Sequence, residues 1–318
     1  MTSKKKIVVT GALGHIGSRL IRELPRALGD LEVVMIDNLA TQRYASLYDL
    51  PPAGRYRFIE ADVMDCELRT VLDGAEAVFH LAALTDAAGS FATREKVEAT
   101  NFGLTRRVAE ACVETGTAMF FTSSTSVYGT QQQSVDESCP EDRLQPQSPY
   151  AETKLREEQL LRTMGREDGL RHVVCRFGTI FGPSPGMRFH TAVNKFCWQA
   201  VLGQPLTVWR TALDQMRPYL DLDDAVRAMV HVLRAPLFDA GLYNVLTANQ
   251  TVDDVIRVIR SHVPDVKIEF VETPIMNQLS YEVRNNRFVS TGFEFRGNVQ
   301  RGIEQTISLL RGSVSARS

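Results

Sequence analysis

Three residue types that can move a proton from a hydroxyl group occur close together in the middle of the sequence. The run TSSTSVY covers residues 122–128, and YAETK follows at residues 150–154. On a helix, Tyr150 and Lys154 share one face because they are four residues apart, and Pro149 suits a first helical turn. A lysine charge lowers the pKa of a neighbouring phenol, which can then act as a base. The pattern predicts a proton-transfer site, with a solvated helix face as the alternative.

Ser124 completes the predicted catalytic set. It falls at the end of the predicted strand AMFFTSS, and open α/β sheets bind ligands beyond the carboxyl ends of their strands. We therefore expect its hydroxyl to hold a substrate hydroxyl beside the Tyr150 phenolate.

A glycine-rich turn precedes this set in the sequence. VVTGALGHIGSRL places Gly11, Gly14 and Gly17 between the first predicted strand and the first predicted helix. Such a turn lets the backbone approach a pyrophosphate, which the N–H groups at the helix N-terminus then bind. Asp37 ends the second strand 20 residues after Gly17, where a carboxylate accepts hydrogen bonds from ribose hydroxyls and repels a 2′-phosphate. The pattern favours NAD as cofactor, while the nearby Arg43 leaves NADP open; a plain strand–helix turn is the alternative.

Further cofactor contacts are predicted at the ends of the next two strands. Asp62 and Val63 end the third strand, where the adenine would lie, and the small residues of HLAALT let a cofactor lie against the fourth. An ordinary strand-end carboxylate and tight packing are the alternatives. The predicted cofactor-binding residues are Gly11, Gly14, His15, Ile16, Gly17, Asp37, Asn38, Asp62, Val63, Leu81, Ala82, Ala83, Tyr150 and Lys154.

The elements that position these residues follow an alternating pattern. The apolar runs KIVVT, LEVVMID, YRFIEAD, AVFHLAA, AMFFTSS and HVVCRF are separated mostly by stretches with helical spacing. Apolar strands interleaved with helices predict an α/β fold with a doubly wound, Rossmann-type parallel sheet covered on both faces. The first helix is predicted from about His15 to Leu24, ended by Pro25.

The alternation changes after RFGTIFGPSPG, which predicts a second domain. We assign residues 1–176 to the NAD-binding domain, with a returning segment at about 213–246. Residues 177–212 and 247–318 are assigned to a smaller, discontinuous substrate domain, with a cleft between it and the sheet.

Composition narrows the classes of function. The 318 residues carry a net charge of −2, which gives no general attraction to nucleic acid or to an anionic membrane. The five cysteines are far apart in the sequence, so neither a zinc site nor a disulfide framework is expected. Neither a signal peptide nor a stretch of membrane-spanning length is recognisable, and a cytoplasmic location is predicted.

Together these motifs resemble the extended short-chain dehydrogenase/reductase family, and within it the NAD-dependent nucleotide-sugar epimerases and dehydratases. The resemblance covers nearly the whole chain and rests on TGALGHIG, IDNL, HLAALT, TSSTSVYG, SPYAETK, RFGTIFGP and RPYLDLDDA, in the family's order. It is strongest to the UDP-galactose 4-epimerases and their relatives. The resemblance implies that Ser124, Tyr150 and Lys154 are the catalytic triad and that Asp37 binds the ribose. It also implies that Arg217 clamps the diphosphate of a nucleotide sugar, for which a guanidinium fork is suited.

Several positions depart from the relatives' pattern. Many relatives carry a substrate-binding asparagine where Thr179 stands, and an aspartate where Pro218 stands. The 4,6-dehydratases carry an Asp-Glu pair where Thr125 and Ser126 stand, and the cysteine of GDP-mannose 3,5-epimerases would fall at Ser126. We therefore expect a different sugar pocket and no obvious acid for 4,6-dehydration.

The remaining polar residues of the predicted cleft have less distinctive patterns. FHTAVNKF, at residues 189–196, lies where relatives wrap the nucleotide base. For Asp86, Glu137, Cys139, His190 and Lys195, structural or solvent-facing roles are favoured over catalysis. The predicted substrate-binding residues are Thr85, Ser124, Thr125, Thr179, Asn194, Lys195 and Arg217.

The predicted function is an NAD-dependent nucleotide-sugar epimerase, with a UDP-sugar as the expected substrate. A 4,6- or 5,6-dehydratase, for example of a UDP-N-acetylhexosamine, is the main alternative; a net dehydrogenase and a non-catalytic NAD-sensing or scaffold protein are the others. By family likeness the protein is expected to be a homodimer. Helices near residues 93–115 and 149–164 would pair with their copies, or alternatively would only cover the sheet.

Overall fold

A seven-stranded parallel sheet forms the larger part of the protein. The computed structural model describes residues 5–85, 94–131, 134–271 and 280–312. Its strands are β1 Lys5–Thr10, β2 Leu31–Asp37, β3 Gly54–Glu60, β4 Ala77–His80, β5 Ala118–Ser124, β6 His172–Phe177, β7 Thr179–Phe181, β8 Leu206–Trp209, β9 Arg217–Asp221, β10 Gly241–Val245, β11 Ala248–Gln250 and β12 Ile268–Val271. The large sheet has the order β10-β6-β5-β4-β1-β2-β3, with parallel pairing throughout. The order reverses between β1 and β4, which is where such sheets bind ligands, and the predicted fold class is confirmed.

Helices cover both faces of this sheet. The helices are α1 His15–Leu28, α2 Leu68–Leu72, α3 Arg94–Thr115, α4 Pro149–Glu167, α5 Ala192–Val201, α6 Leu222–Arg234, α7 Val252–His262, α8 Asn286–Val289 and α9 Val299–Arg311. Because successive strand residues point to opposite faces, Ile7 and Val9 of β1 pack with α1 and α6. Val8 packs on the other face with α2, α3 and α4. The nearly continuous apolar character of the strands follows from this double coverage.

Helix α1 continues past the proline at which the sequence predicted its end. Pro25 lies inside the helix, and its carbonyl accepts a hydrogen bond from the Gly29 N–H (3.0 Å). A proline removes a single backbone donor. The fully buried Leu20, Ile21 and Leu24 fix the helix before Pro25, and the partly buried Ala27 and Leu28 pack against the same core after it. The helix ends instead at Gly29, whose φ of 80° lets the chain turn away.

A second core lies beyond β6. Strands β7, β9 and β11 form a three-stranded sheet, β8 pairs with β12, and α5, α7 and α9 pack with them. Within the segment 213–246, β9 pairs with β7 and β11, whereas α6 packs on α1 and β10 pairs with β6 of the large sheet. The division into two domains stays a prediction. Within the described ranges, none of the helices combines the length and apolar composition that a membrane span requires.

Candidate active site

The glycine-rich turn packs against the end of β4. Gly11 has a φ of 64°, and a Cβ there would lie 2.7 Å from the Ala82 nitrogen and 2.8 Å from the Leu81 carbonyl oxygen. Only glycine fits both the backbone conformation and the space. A Cβ on Gly17 would clash with the carbonyl oxygens of Gly11 and Ala12. The turn therefore brings the start of α1 to the switch point of the sheet.

The N-terminus of α1 has the features of a phosphate site. Gly14 occupies its N-cap position without a side-chain cap, so the first N–H groups of the helix can serve an anion. Asp37 lies beside this turn and accepts hydrogen bonds from the N–H groups of Leu13 and Leu39, both at 3.0 Å. Its carboxylate is thus held in the position predicted for the ribose ligand.

The next strand ends form the predicted adenine side of the site. Asn38 donates from Nδ2 to Oδ2 of Asp62 (2.9 Å), and the Met64 N–H donates to Oδ1 of Asp62 (2.9 Å). Val63 is buried next to them, whereas Ile16 packs against the core on the α1 side. The Asp62 carboxylate therefore fixes the local backbone, and its contact with adenine stays a prediction.

A buried hydroxyl organises the end of β4. Oγ1 of Thr10 accepts hydrogen bonds from the N–H groups of Leu81 (3.2 Å) and Ala82 (3.3 Å), and lies 2.8 Å from Nδ1 of His80. Burial, with the charge of Lys154, lowers the pKa of His80 to about 3, so the ring is neutral. Sequence reasoning did not single out Thr10 or His80 because their contact joins residues 70 positions apart.

Helix α4 presents the predicted tyrosine and lysine as a pair. The Ser148 hydroxyl caps the helix by accepting the Ala151 N–H (3.2 Å). Nζ of Lys154 lies 5.9 Å from the centroid of the Tyr150 ring and 4.4 Å from that of Phe121. The shared helix face expected from the i, i+4 spacing is confirmed.

The ammonium group of Lys154 is buried and neutralised by a carboxylate. Its Nζ lies 3.2 Å from Oε2 of Glu157, with both side chains almost inaccessible to solvent. The Thr105 hydroxyl of α3 donates to the other oxygen of Glu157. Removing one member of such a pair leaves the other as an uncompensated buried charge, which destabilises the fold. The spacing of Glu157 in α4 does not distinguish it from a surface residue of that helix.

The surroundings of Tyr150 act in both directions on its acidity. Burial raises the pKa of the Tyr150 phenol above its ordinary value, although the residue is partly exposed. The positive charge of Lys154 opposes this rise in pKa. The negative charge of Glu157 adds to the rise, and the positive charge of Arg188 opposes it. Lys154 therefore acts with the predicted sign, but burial outweighs it in the protein alone. A further positive charge at the site is needed to favour the phenolate near neutral pH.

Ser124 ends β5 beside this pair. Its Oγ accepts hydrogen bonds from the N–H of Ser126 (3.2 Å) and from the Ser126 hydroxyl (2.9 Å). The turn that follows Ser124, residues 125–128, packs against α4. Ser124, Tyr150 and Lys154 thus belong to two elements in contact at the carboxyl edge of the sheet.

A buried ion pair underlies the serine. Arg176 of β6 donates from Nε (3.0 Å) and Nη2 (2.6 Å) to the carboxylate of Glu158, and the Ser123 hydroxyl donates to the same carboxylate. Burial disfavours the Arg176 charge, but the Glu158 carboxylate more than offsets this and raises the pKa of Arg176. The ion pair joins α4 to β6, and the hydrogen bond from Ser123 extends the connection to β5.

The predicted substrate residues come from the second core and from the turn after β5. Arg217 begins β9 and donates from Nη2 to Oε1 of Gln215 (2.9 Å), and its charge acts on Tyr281. The Tyr281 hydroxyl lies 3.4 Å from Oγ1 of Thr125, which also donates to the Phe177 carbonyl (3.3 Å). The hydroxyl of the buried Thr125 is therefore used within the protein. Sequence reasoning missed Tyr281, which contacts Thr125 and is close enough to Arg217 to be affected by its charge.

The other cleft residues have different environments. Thr179 is partly exposed in β7, and Lys195 is partly exposed in α5. Asn194 is fully buried, with its amide bonded to the backbone of Gly182 and Arg188. This burial favours a loop-holding role for Asn194 over contact with a nucleotide base. Thr85 accepts a hydrogen bond from Nη1 of Arg188 (2.6 Å).

The polar residues for which catalysis was not favoured differ in burial and in their contacts. Glu137 accepts the Asn244 N–H at 2.6 Å, which ties it to β10. Cys139 is partly exposed and His190 is exposed, while Asp86 lies outside the described residues. Among the described residues, no group of three or more His, Cys, Asp and Glu side chains is arranged to hold a metal ion.

Comparison with known proteins assigns this arrangement to a family. The profile of the NAD dependent epimerase/dehydratase family matches residues 7–245. The chain is 34% identical over 242 residues to YtcB of Bacillus subtilis (strain 168), described as an uncharacterized UDP-glucose epimerase, across 73% of each chain. This chain belongs to the NAD-dependent epimerase/dehydratase family.

Two other relatives show the range of this epimerase/dehydratase family. RHM1 of Arabidopsis thaliana, described as a trifunctional UDP-glucose 4,6-dehydratase, 3,5-epimerase and reductase, is 26% identical over 316 residues. The match covers 95% of the present chain but 46% of RHM1, so the chain spans about half the length of that relative. The structure of MoeE5 in complex with UDP-glucuronic acid and NAD matches with a TM-score of 0.83 and 28% identity, over 97% of this chain and 100% of that chain.

The cofactor of the epimerase/dehydratase is NAD, and the residues present fit it. The uncapped N-terminus of α1, the close approach that Gly11 and Gly17 permit, and the carboxylate of Asp37 suit a diphosphate followed by a ribose. These residues would hold the diphosphate and the ribose of NAD, which would supply reversible hydride transfer at the site.

Proposed function

We propose that the enzyme is a nucleotide-sugar 4-epimerase that acts on a UDP-sugar, with Ser124, Tyr150 and Lys154 as catalytic residues. The supporting observation is the position of α4, which brings a phenol and a buried ammonium to the same sheet edge as the glycine-rich turn. When bound, NAD supplies reversible oxidation at C4 of the sugar, with no net redox change over a turnover.

The chain's own residues would handle the proton. Ser124 orients the C4 hydroxyl, and the Tyr150 phenolate accepts its proton and later returns a proton to the same C4 oxygen, after the 4-keto sugar has turned its other face toward the cofactor side. Lys154 stabilises the phenolate through its charge, and Glu157 holds Lys154 in place from the side away from the substrate. Because burial raises the pKa of Tyr150, the phenolate form depends on Lys154 and on the positive nicotinamide ring.

The turn after β5 favours epimerisation over 4,6-dehydration. The positions at which the dehydratases carry an Asp-Glu pair hold Thr125 and Ser126. Thr125 is buried against Phe177 and Tyr281, and the Ser126 hydroxyl donates to Ser124. Neither side chain supplies a carboxylic acid to protonate a leaving hydroxyl, although the similarity to RHM1 keeps dehydration as the second candidate.

Two residues are proposed to bind the substrate: the cation Arg217 and the small hydroxyl residue Thr179. Arg217, at the start of β9, is the proposed clamp for the diphosphate of the nucleotide. Thr179, on the neighbouring strand β7, stands where many relatives carry asparagine and would face the sugar. UDP-glucose and UDP-glucuronic acid are the first substrates to test, because relatives are named for, or bind, these compounds.

The decisive experiment is product analysis with a panel of UDP-sugars. Epimerisation gives a product of unchanged mass with inverted configuration at C4, measured by mass spectrometry and NMR. Loss of one water would support the dehydratase instead, and NADH accumulating at 340 nm would indicate a net dehydrogenase. A lack of turnover with every nucleotide sugar, in protein that binds NAD, would support a sensing or scaffold role.

Removal of the Glu157 charge is expected to shift the pH profile. The Glu157 carboxylate raises the pKa of Tyr150, so Glu157→Gln is expected to lower that pKa and move the acid limb of kcat/KM to lower pH. The same change leaves the buried Lys154 without its counter-charge, so the melting temperature should fall. Glu167→Gln, at the exposed end of α4, is the control and should change neither quantity. An acid limb that stays in place or moves to higher pH would contradict the role given to Glu157.

The proposal includes a homodimer formed by α3 and α4. On their outer surface, Phe102 lies between the guanidinium groups of Arg106 and Arg156, at 5.1 and 5.0 Å. Ion pairs join the same two helices, between Arg94 and Glu152 and between Arg156 and Glu98. Light scattering coupled to size exclusion measures the mass of the assembly directly. A cytoplasmic location stays a prediction.

A further inference from the structure

A segment from the second core lies directly on the cofactor turn. Residues 182–188, here called the strap segment, follow β7 and lead toward α5. Nε2 of His15 donates to the Gly182 carbonyl (2.8 Å), and the Ser184 hydroxyl donates to the His15 carbonyl (2.9 Å). Burial lowers the pKa of His15 to about 4, so this contact uses a neutral ring over the neutral pH range.

The middle of the strap segment touches the turn through its backbone. The Gly186 N–H donates to Oγ of Ser18 (3.0 Å). A Cβ on Gly186 would clash with the carbonyl oxygens of Leu13 and Gly14. Such an approach leaves no room for a side chain or a water layer, so the strap segment and the turn form one continuous unit.

One side chain joins the two ends of the strap segment. Oδ1 of Asn194 accepts the Gly182 N–H (3.2 Å), and its Nδ2 donates to the Arg188 carbonyl (3.3 Å). Asn194 is fully buried, and a buried amide that uses both ends fixes its partners strongly. The backbone of Arg188 is thereby held in a fixed position relative to Gly182.

The guanidinium group of Arg188 reaches the segment that follows β4. It donates from Nη1 to Oγ1 of Thr85 (2.6 Å), just beyond the end of β4. Its charge acts on both His15 and Tyr150 by lowering their pKa values. Arg188 is therefore close enough to the start of α1 and to Tyr150 for its charge to act on both.

A second arginine approaches the same place from the other side. Nη1 of Arg43 lies 3.7 Å from the position of a Cβ on Gly14, the residue that precedes the first turn of α1. Burial and the charge of Arg188 lower the pKa of Arg43, while Asp37 opposes this. Two cations brought together at a helix N-terminus repel each other unless an anion joins them.

We propose that the strap segment holds Arg188 against the diphosphate of bound NAD, with Arg43 and Arg188 as a cationic clamp and Asn194 as the residue that positions Arg188. The ligand class is a dinucleotide diphosphate, since the clamp stands at the uncapped end of α1. An enzyme whose cofactor is restored in each turnover gains from retaining it, and the clamp would slow its loss. This inference rests on the NAD requirement of the family and not on the identity of the sugar.

The test is NAD retention, measured without any sugar. Wild-type protein and variants are purified in NAD-free buffer, and bound NAD is quantified in the denatured supernatant; the dissociation rate is followed by displacement with a fluorescent NAD analogue. Arg188→Ala is expected to speed dissociation about 10- to 100-fold, the range for loss of a charged hydrogen-bonding partner. Asn194→Ala should act in the same direction but less strongly. Asn194→Asp keeps the acceptor for Gly182 and loses the donor to Arg188, so it should retain NAD better than Asn194→Ala.

Matched controls separate the clamp from general damage. Arg19→Ala removes an α1 arginine that pairs with Asp223 on the surface. Asn249→Ala removes an asparagine whose amide, like that of Asn194, both donates to and accepts from the backbone, here of Val283. Neither change should alter NAD retention. If Asn194 acts by positioning Arg188, the double variant should lose NAD no faster than Arg188→Ala alone. Additive effects would overturn the positioning role. Unchanged NAD dissociation in Arg188→Ala, with a raised KM for the nucleotide sugar, would overturn the clamp without affecting the proposed reaction.

Discussion

Tyr150→Phe is expected to reduce turnover of the UDP-sugar by about 10²- to 10⁴-fold, the usual contribution of a positioned acid–base group. The change removes one oxygen atom and leaves the ring between Lys154 and the cleft. Since the turn, Asp37 and the strap segment are unaltered, the variant should still bind NAD. The measurement combines kcat with a sugar that the wild type converts and the NAD content of the same preparation.

Tyr243→Phe is the matched control. Tyr243 lies on the edge strand β10, is nearly buried, and contacts Phe288, so it loses the same atom far from the glycine-rich turn. Its turnover should stay near that of the wild type. Near-normal turnover in Tyr150→Phe with NAD bound would remove Tyr150 as the proton acceptor and with it the proposed mechanism.

Glu158→Gln is expected to lower the free energy of unfolding by about 3–5 kcal/mol, the cost of leaving one member of a buried ion pair without its partner. Arg176 and Glu158 are each about 2% exposed, and their bidentate contact joins α4 to β6. Calorimetry or chemical denaturation of NAD-free protein measures the loss. The neutral amide retains the volume of the carboxylate, so the effect reports charge and hydrogen bonding.

Two further variants show whether charge is the cause. Glu141→Gln removes the exposed ion pair with Arg162, which should cost at most about 1 kcal/mol. The double replacement Arg176→Met with Glu158→Met leaves no buried charge and should regain much of the stability. A melting temperature of Glu158→Gln equal to that of Glu141→Gln would contradict the importance given to this pair.

The sequence predicted the parts of this enzyme that depend on local spacing. The glycines of the turn, Asp37 at the end of β2, and the helical pairing of Tyr150 with Lys154 are all set by residues within one strand–helix unit. The strand pattern predicted the large sheet for the same reason, because each apolar run reports its own burial. The predicted end of α1 at Leu24 was wrong, because it considered only the local effect of Pro25. Packing of residues before and after Pro25 against the core keeps the chain helical.

Other residues at the site could not be recognised because tertiary contacts give them their roles. Glu157 has the spacing of an ordinary helix-surface carboxylate, and only the packing of α3 against α4 buries it with Lys154. Tyr281 reaches Thr125 from 156 residues away. The run GPSPGMR predicts a loop, but its contact with the glycine-rich turn follows from the position of the second core. The sequence of β9 likewise predicts a strand but does not indicate which sheet the strand joins.

The chain order of the large sheet has a consequence for biosynthesis. Its edge strand β10 is contributed by residues 241–245, after β7, β8 and β9 have already entered the second core. On the ribosome, one hydrogen-bonding edge of β6 therefore stays open while about sixty further residues are synthesised, and α1 lacks its neighbour α6 until residue 234 has been added. A nascent chain stopped between residues 177 and 240 carries an unfinished sheet, which is the state most prone to pairing with other chains. Completion of the nucleotide-binding half is thus coupled in time to synthesis of the other half.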